Sequence, residues 1–167
     1  RWLFGTPGDK IEVVVHPESI IHSMVEYADG AVIAQLGHPD MREPIQYALT
    51  WPHRLPLNNR KLNFADLAKM TFYAPDKEKF PALELAYKSL EKGGNMACIM
   101  NAANEAAVAA YLRDEIGFYD ITDIVAECMD GADFAANPDI DTIFSSNESA
   151  YAMACELIRR KSSKKSF

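Results

Sequence analysis

Residues 16–44 read HPESIIHSMVEYADGAVIAQLGHPDMREP, and this stretch decides the fold. Within it, Asp29-Gly30 lies between two largely apolar segments, 20–27 and 31–36. An Asp-Gly pair in this setting favours a β-hairpin, because a type I′ turn needs positive φ at both of its central residues. The sequence therefore predicts two antiparallel strands joined by a tight turn.

The first strand of this hairpin carries several polar side chains. Because side chains alternate across a strand, His22, Met24 and Glu26 are expected to share one face. Upstream, residues 10–15 are rich in β-branched side chains and predict a third strand. Pro17 ends it, since proline cannot donate to a strand ladder. Together the three segments predict a small antiparallel or mixed sheet.

The segment after the hairpin predicts a loop followed by a helix. Asp40 is a plausible N-cap for a helix over residues 41–49, with Glu43 closing a capping box. Residues 51–63 are rich in Pro and Asn and predict a connecting loop. Residues 64–73 are ambiguous, although their last four residues favour a short strand.

From Phe80 onward the apolar period changes to that of a helix. Four helices are predicted, over residues 81–92, 96–113, 120–129 and 148–160. Their expected core is Leu83, Tyr87, Ile99, Val108, Leu112, Ile124 and Leu157. The predicted fold class is α+β: a small sheet with a hairpin over residues 1–75, then a four-helix bundle-like domain over 76–160. Residues 161–167 are expected to form a frayed basic tail.

Composition excludes several classes of protein. The net charge of −7 argues against a nucleic-acid partner, because phosphate contacts need clustered basic residues. The apolar runs are far shorter than the ~20 residues of a membrane helix, so no membrane partner is expected. The three cysteines are widely spaced and form neither a disulfide framework nor a zinc signature. Free thiols are typical of a reducing compartment, which predicts a cytoplasmic location.

The candidate chemical residues form no complete catalytic apparatus. No glycine-rich phosphate loop is present. His16 and His22 form a weak metal pair; hydrogen bonding at a strand end explains His16 better, whereas His22 beside Ser19 suits a polar pocket. One further cluster, Asn101, Asn104 and Glu105, could bind a cation or substrate, or could form a buried polar network that pins its helix to a neighbour.

Four blocks of sequence together resemble the 1-deoxy-D-xylulose 5-phosphate reductoisomerases. They are RWLF at residues 1–4, the long run HPESIIHSMVEYADGAVIAQLGHPDMREPIQYALTWPHR at 16–54, LNFADLAKMTFYAPD at 62–76 and NAANEAAVAAYL at 101–112. The resemblance extends to about Met129. It implies the second half of the catalytic domain over residues 1–75, then the C-terminal helical bundle. The family rearranges its substrate, reduces the product with NADPH, and needs Mg²⁺, Mn²⁺ or Co²⁺.

The resemblance also implies roles for four residues. Pro39 and Met41 match positions that line the nicotinamide pocket, and His22 and Ser19 match polar positions on the substrate side. The metal ligands and the NADPH loop of the family lie upstream, so no metal ligand is expected here and the chain alone is expected to be inactive. A homodimer is implied for the full-length protein.

The alternative to an enzyme fragment is a non-enzymatic helical protein-binding module. A fragment should expose apolar surface on the hairpin sheet, where the missing half-domain belongs. An independent module should instead be a compact monomer with a closed sheet. The first residue is Arg rather than Met, which either trimming or a longer parent protein explains.

Overall fold

A computed structural model describes residues 3–165, with side chains described as far as residue 163. The chain divides into two compact units. One comprises Val13–Pro75 and is called the sheet unit. The other comprises Arg1–Glu12 together with Asp76–Phe167 and is called the helical unit. Residues 1–12 thus group with the helices rather than with the sheet.

The sheet unit is built on the predicted hairpin. Strand β1 (Ile21–Glu26) pairs antiparallel with β2 (Val32–Leu36). The predicted type I′ turn is wrong, because only Gly30 has positive φ, at 84°. Tyr27 accepts from the Gly30 N–H and donates to the Ala31 carbonyl, both at 2.9 Å. These bonds define a three-residue loop that ends in a left-handed glycine.

The predicted strand over residues 10–15 is also wrong. Residues Gly8–Lys10 form a single 3-10 turn, and the Ile11 N–H donates to the Gly8 carbonyl at 3.1 Å. Backbone groups used in this turn are unavailable to a strand ladder. Only Val15 pairs, in an isolated antiparallel bridge with Tyr73.

Beyond the hairpin, helix α1 (Arg42–Thr50) is followed by an irregular segment, as expected. The short helix α2 (Phe64–Leu67) begins the segment that the sequence left ambiguous. The predicted capping box between Asp40 and Glu43 is wrong, because the N-cap position falls at Met41 and has no side-chain cap bond. The Asp40 carboxylate is instead engaged by the guanidinium and backbone N–H of Arg42. Asn63 caps α2 by accepting from the Ala65 N–H at 3.1 Å.

The helical unit contains α3 (Ala82–Lys92), α4 (Met96–Leu112), α5 (Phe118–Gly131) and α6 (Ile140–Lys165). Helix α4 packs against the other three, which agrees with the predicted bundle. Its buried face is a stripe of small residues that lets neighbouring helices approach closely. The stripe consists of Ala102, Ala103, Ala106, Ala107 and Ala110. With the two-stranded sheet, these helices confirm the α+β class.

The predicted core is partly correct. Ile99, Ile124 and Leu157 are buried, whereas Leu112 is 75% exposed at the end of α4. Sequence periodicity cannot show where the partner helices stop covering a helix end. Leu83, Tyr87 and Val108 are half-buried.

Helix α6 starts earlier and ends later than predicted. At its start, the Asp139 carboxylate accepts from the Thr142 N–H at 2.8 Å. Near its end, the Lys161 ammonium lies 2.9 Å from carboxylates of both Asp120 and Asp123 on α5. Residues 161–165 are therefore helical rather than frayed, and 166–167 lie outside the described residues. None of the helices described here is both long enough and apolar enough to cross a bilayer.

Candidate functional site

Ser19 is the last residue of a tight turn, and its own backbone is in the left-handed conformation. Its N–H donates to the His16 carbonyl at 3.0 Å, so that Pro17 and Glu18 occupy the central positions of the turn. Ser19 has φ 50°, which is uncommon for a residue with a Cβ. Such a conformation persists where the surrounding contacts fix it. Ser19 is exposed.

His22 lies at a break in the strand register. Ile21 pairs with Leu36 and Ser23 with Gln35, so His22 is an extra residue on β1. A bulge of this kind re-aims a side chain and is over-represented next to active sites. The strand pairing is regular from Ser23 to Glu26, so the predicted shared face holds for Met24 and Glu26. The register shift at His22 interrupts it.

Gly37 joins this bulge to the loop that follows β2. The imidazole Nε2 of His22 lies 3.2 Å from the Gly37 carbonyl oxygen. On the other side, the Gly37 N–H donates to the Ile20 carbonyl at 3.0 Å. Gly37 is buried between them. The hairpin base thereby fixes the start of the loop that carries Pro39 and Met41.

The loop itself is rigidified by one ion pair. Arg42 Nε donates to Asp40 Oδ1 at 2.9 Å and to Oδ2 at 3.1 Å. This hydrogen-bonded guanidinium lowers the pKa of Asp40 from 3.8 to about 2. Pro39 and Met41 flank Asp40 in sequence, and Met41 is 70% exposed. Met41 thus presents an exposed apolar side chain beside this ion pair.

A cleft of about 420 Å³ opens beside Gly37 in the same unit. Tyr47, Glu43 and Arg54 contribute to its walls. The Arg54 guanidinium lies 3.9 Å from the centre of the Tyr47 ring, a cation–π contact. The cleft provides solvent access next to the loop.

A half-buried polar cluster supports the Ser19 turn, and sequence reasoning missed it. Glu18 accepts from the Thr71 hydroxyl at 2.7 Å and from the Thr71 N–H at 3.2 Å. These hydrogen bonds lower the pKa of Glu18, and the bond from the Thr71 hydroxyl has the largest effect. His16 Nδ1 donates to the Thr71 carbonyl at 2.9 Å and lies 3.1 Å from the Glu18 carboxylate. The partners are more than 50 residues apart in sequence, so no local pattern predicts the cluster.

His16 has the structural environment expected of it. Its side chain is 6% exposed and its ring stacks on Phe72 with centroids 4.7 Å apart. No group in the described part of the chain forms a hydrogen bond with its buried Nε2. Its geometry is that of a packed histidine that bonds backbone.

The remaining candidates belong to the helical unit. Asn101, Asn104 and Glu105 are exposed on α4, in the helical unit. The Asn101 amide donates to Glu105 at 3.0 Å within the same helix, so the predicted buried network is wrong. Within residues 3–165, no group of three or more His, Cys, Asp or Glu side chains could hold a metal ion.

The arrangement is an α+β fold with a bulged two-stranded hairpin and a main hydrophobic core in the helices. Residues 36–153 match the family model described as DXP reductoisomerase C-terminal domain. The chain belongs to this family, which confirms the resemblance seen in the sequence.

Known relatives agree. A 1-deoxy-D-xylulose 5-phosphate reductoisomerase from Lachnospira eligens is 52% identical over 148 residues, which are 89% of this chain and 39% of that protein. A solved reductoisomerase from Zymomonas mobilis in complex with NADPH is 47% identical, with a TM-score of 0.87 over 93% of this chain and 41% of the other. Another, in complex with NADPH, fosmidomycin and magnesium, is 35% identical with a TM-score of 0.88, over 94% of this chain and 41% of that one. The chain thus spans about two fifths of the length of these proteins.

Proposed function

We propose that this chain forms the C-terminal part of a reductoisomerase that converts 1-deoxy-D-xylulose 5-phosphate to 2-C-methyl-D-erythritol 4-phosphate with NADPH. The observation that carries the proposal is the similarity to the Zymomonas mobilis enzyme solved with NADPH, at 47% identity over 93% of the chain. The reaction is the committed step of non-mevalonate isoprenoid synthesis.

Four residues of the sheet unit contribute to this reaction. Pro39 and Met41 offer apolar surface to the nicotinamide ring. The ion pair between Asp40 and Arg42 holds the loop that carries both residues. Ser19 and His22 border the substrate, where a hydroxyl and an imidazole can donate or accept hydrogen bonds. The bulge at His22 and the left-handed backbone at Ser19 support this assignment.

The divalent cation of the proposed enzyme, Mg²⁺, Mn²⁺ or Co²⁺, is held by residues outside this chain. The described residues offer no group of three or more candidate ligands, which does not fit a metal site here. The NADPH phosphates are likewise bound by an upstream glycine-rich loop. Because the metal ligands and the NADPH phosphate loop are assigned to residues outside this chain, the chain alone is expected to be inactive.

The full-length enzyme is proposed to be a homodimer that associates through the hairpin sheet. Val25 pairs with Ile33 across the two strands, and their side chains are 52% and 62% exposed. Exposed apolar pairs on a two-stranded sheet are unusual in a monomer, because such a sheet needs a further layer for stability. The open sheet favours an enzyme part over an independent module with a closed sheet.

The proposed location is the cytoplasm. Cys98, Cys128 and Cys155 are all free. Burial raises the pKa of Cys128 to about 11, which keeps it a protonated packing residue. Free thiols of this kind are typical of proteins in a reducing compartment.

The proposal is tested with a chimera in which the N-terminal part of the Lachnospira eligens enzyme precedes this chain. We expect NADPH oxidation that requires both 1-deoxy-D-xylulose 5-phosphate and a divalent cation. The matched control is the same N-terminal part without this chain, which should not turn over. A folded chimera without turnover would contradict the proposal.

A further inference from the structure

The turn that presents Ser19 is held by one residue far away in sequence. Thr71 has three polar groups, and each of them bonds this turn: the hydroxyl and the N–H donate to Glu18, and the carbonyl accepts from His16. The next residues extend the attachment, since Phe72 stacks on His16 and Tyr73 pairs with Val15.

We call the contacts of Thr71 with Glu18 and His16 the clamp. Glu18 is its central member. Its two carboxylate oxygens bond the Thr71 hydroxyl and N–H, and one of them also lies 3.1 Å from His16 Nδ1. Because Glu18 directly precedes Ser19, fixing its side chain fixes the peptide from which Ser19 departs. Hydrogen bonds to an ionised acceptor are roughly twice as strong as neutral ones, so the carboxylate suits this task.

We propose that Glu18 is a positioning residue, which holds the left-handed backbone of Ser19 through Thr71 and thereby aims the Ser19 hydroxyl at the substrate. The inference rests on the proposed function, since it needs Ser19 to face substrate. It goes beyond that function because neither Glu18 nor Thr71 lies among the pocket residues that the sequence suggested. Glu18 itself does not touch the substrate.

The test compares four forms of the chimera: the parent, Glu18→Gln, Ser19→Ala and the double variant. We expect Glu18→Gln to raise KM for 1-deoxy-D-xylulose 5-phosphate by about tenfold, the factor for losing one charge-assisted hydrogen bond. KM for NADPH should stay unchanged, because the contacts described for Glu18 are with Thr71 and His16 and none is with Pro39 or Met41. In the Ser19→Ala background, Glu18→Gln should have no further effect, since the two residues act as a unit.

Milder variants guard against a folding defect. Thr71→Val removes the hydroxyl donor and should raise KM for the substrate, whereas Thr71→Ser keeps the donor and should preserve it. Glu78→Gln, an exposed glutamate outside the sheet unit, is the matched control and should behave as the parent.

A second readout needs no activity. In the chain alone, amide hydrogen exchange of Ser19 and Thr71 should become faster in Glu18→Gln and stay unchanged in Glu78→Gln. If the exchange rates of the Ser19 and Thr71 amides are the same in Glu18→Gln as in the parent chain, the clamp is overturned.

The kinetic outcomes separate the two proposals. An active parent whose substrate KM ignores Glu18→Gln and Thr71→Val overturns the positioning role and leaves the proposed function standing. Equal effects of Glu18→Gln with and without the Ser19 hydroxyl also overturn it. An inactive folded parent overturns the proposed function and the role of Glu18 in it.

Discussion

Met41 is an exposed apolar residue on the loop that follows β2. It is 70% exposed on a loop that an ion pair and a buried glycine hold in place. Met41→Ala in the chimera should raise KM for NADPH about fivefold, which corresponds to about 1 kcal/mol of lost apolar contact. Steady-state kinetics at varied NADPH measures this.

The control for Met41 is Leu49→Ala, since Leu49 is exposed in the same unit at the end of α1. It should leave KM for NADPH unchanged. Equal values for the parent and Met41→Ala would count against the nicotinamide contact.

The Asp40–Arg42 pair makes the loop depend on pH. The pKa of Asp40 is lowered to about 2, so the pair stabilises the folded loop fully above about pH 4 and loses this as pH falls through about 2. Arg42→Gln should move the pKa of Asp40 back up towards 3.8, as read from the carboxyl carbon shift in an NMR titration. Arg60→Gln, which removes another exposed cation of the sheet unit, should not. An Asp40 that titrates alike in all three proteins would refute the pair.

Sequence reasoning at this scale found residues but not their environments. It singled out Ser19 and His22, yet it predicted neither the bulge at His22 nor the positive φ at Ser19. A bulge depends on register with the partner strand. The turn that ends at Ser19 is bonded by Thr71, which is 52 positions away from Ser19 in sequence. Neither leaves a local signal.

Among the elements, α4 was predicted to within one residue because its small residues recur at helical spacing. Ala103 is fully buried where α4 meets its neighbours. Ala103→Leu should destabilise the chain by about 1–3 kcal/mol through overpacking. Urea unfolding measures this free energy.

Asn104→Leu is the matched control, since Asn104 adjoins Ala103 in sequence but is exposed. It should change the free energy of unfolding by less than about 0.5 kcal/mol. An Ala103→Leu protein as stable as the parent would show that α4 is packed more loosely than described.

The elements that were predicted wrongly depended on hydrogen bonds at their ends that the apolar pattern does not show. The segment 10–15 has strand propensity, but its first N–H groups close a 3-10 turn. Helix α6 begins at Ile140 because the Asp139 carboxylate satisfies a free N–H of the first turn. Asp139 follows Pro138, and this Pro-Asp pair was the available signal for the earlier start.

At the scale of the whole molecule, the open hairpin predicts self-association of the chimera. Ile33→Lys should convert a dimer to a monomer, because a charge on the apolar face cannot be buried against a second copy. Light scattering coupled to size-exclusion chromatography measures the mass. Glu26→Lys, which lies on the opposite face of the hairpin, should remain dimeric. A dimer that survives Ile33→Lys would exclude this face as the interface.

The most direct measurement is turnover by this chain alone and after mixing with a separately produced N-terminal part of a reductoisomerase. The chain alone should not oxidise NADPH, because its described residues form no group of three or more side chains that could hold a metal ion. Mixing should restore oxidation that depends on 1-deoxy-D-xylulose 5-phosphate and on a divalent cation, with co-elution of the two parts. Metal-dependent turnover by the chain alone, or a stable monomer that ignores the N-terminal part, would contradict its assignment as the C-terminal part of this enzyme.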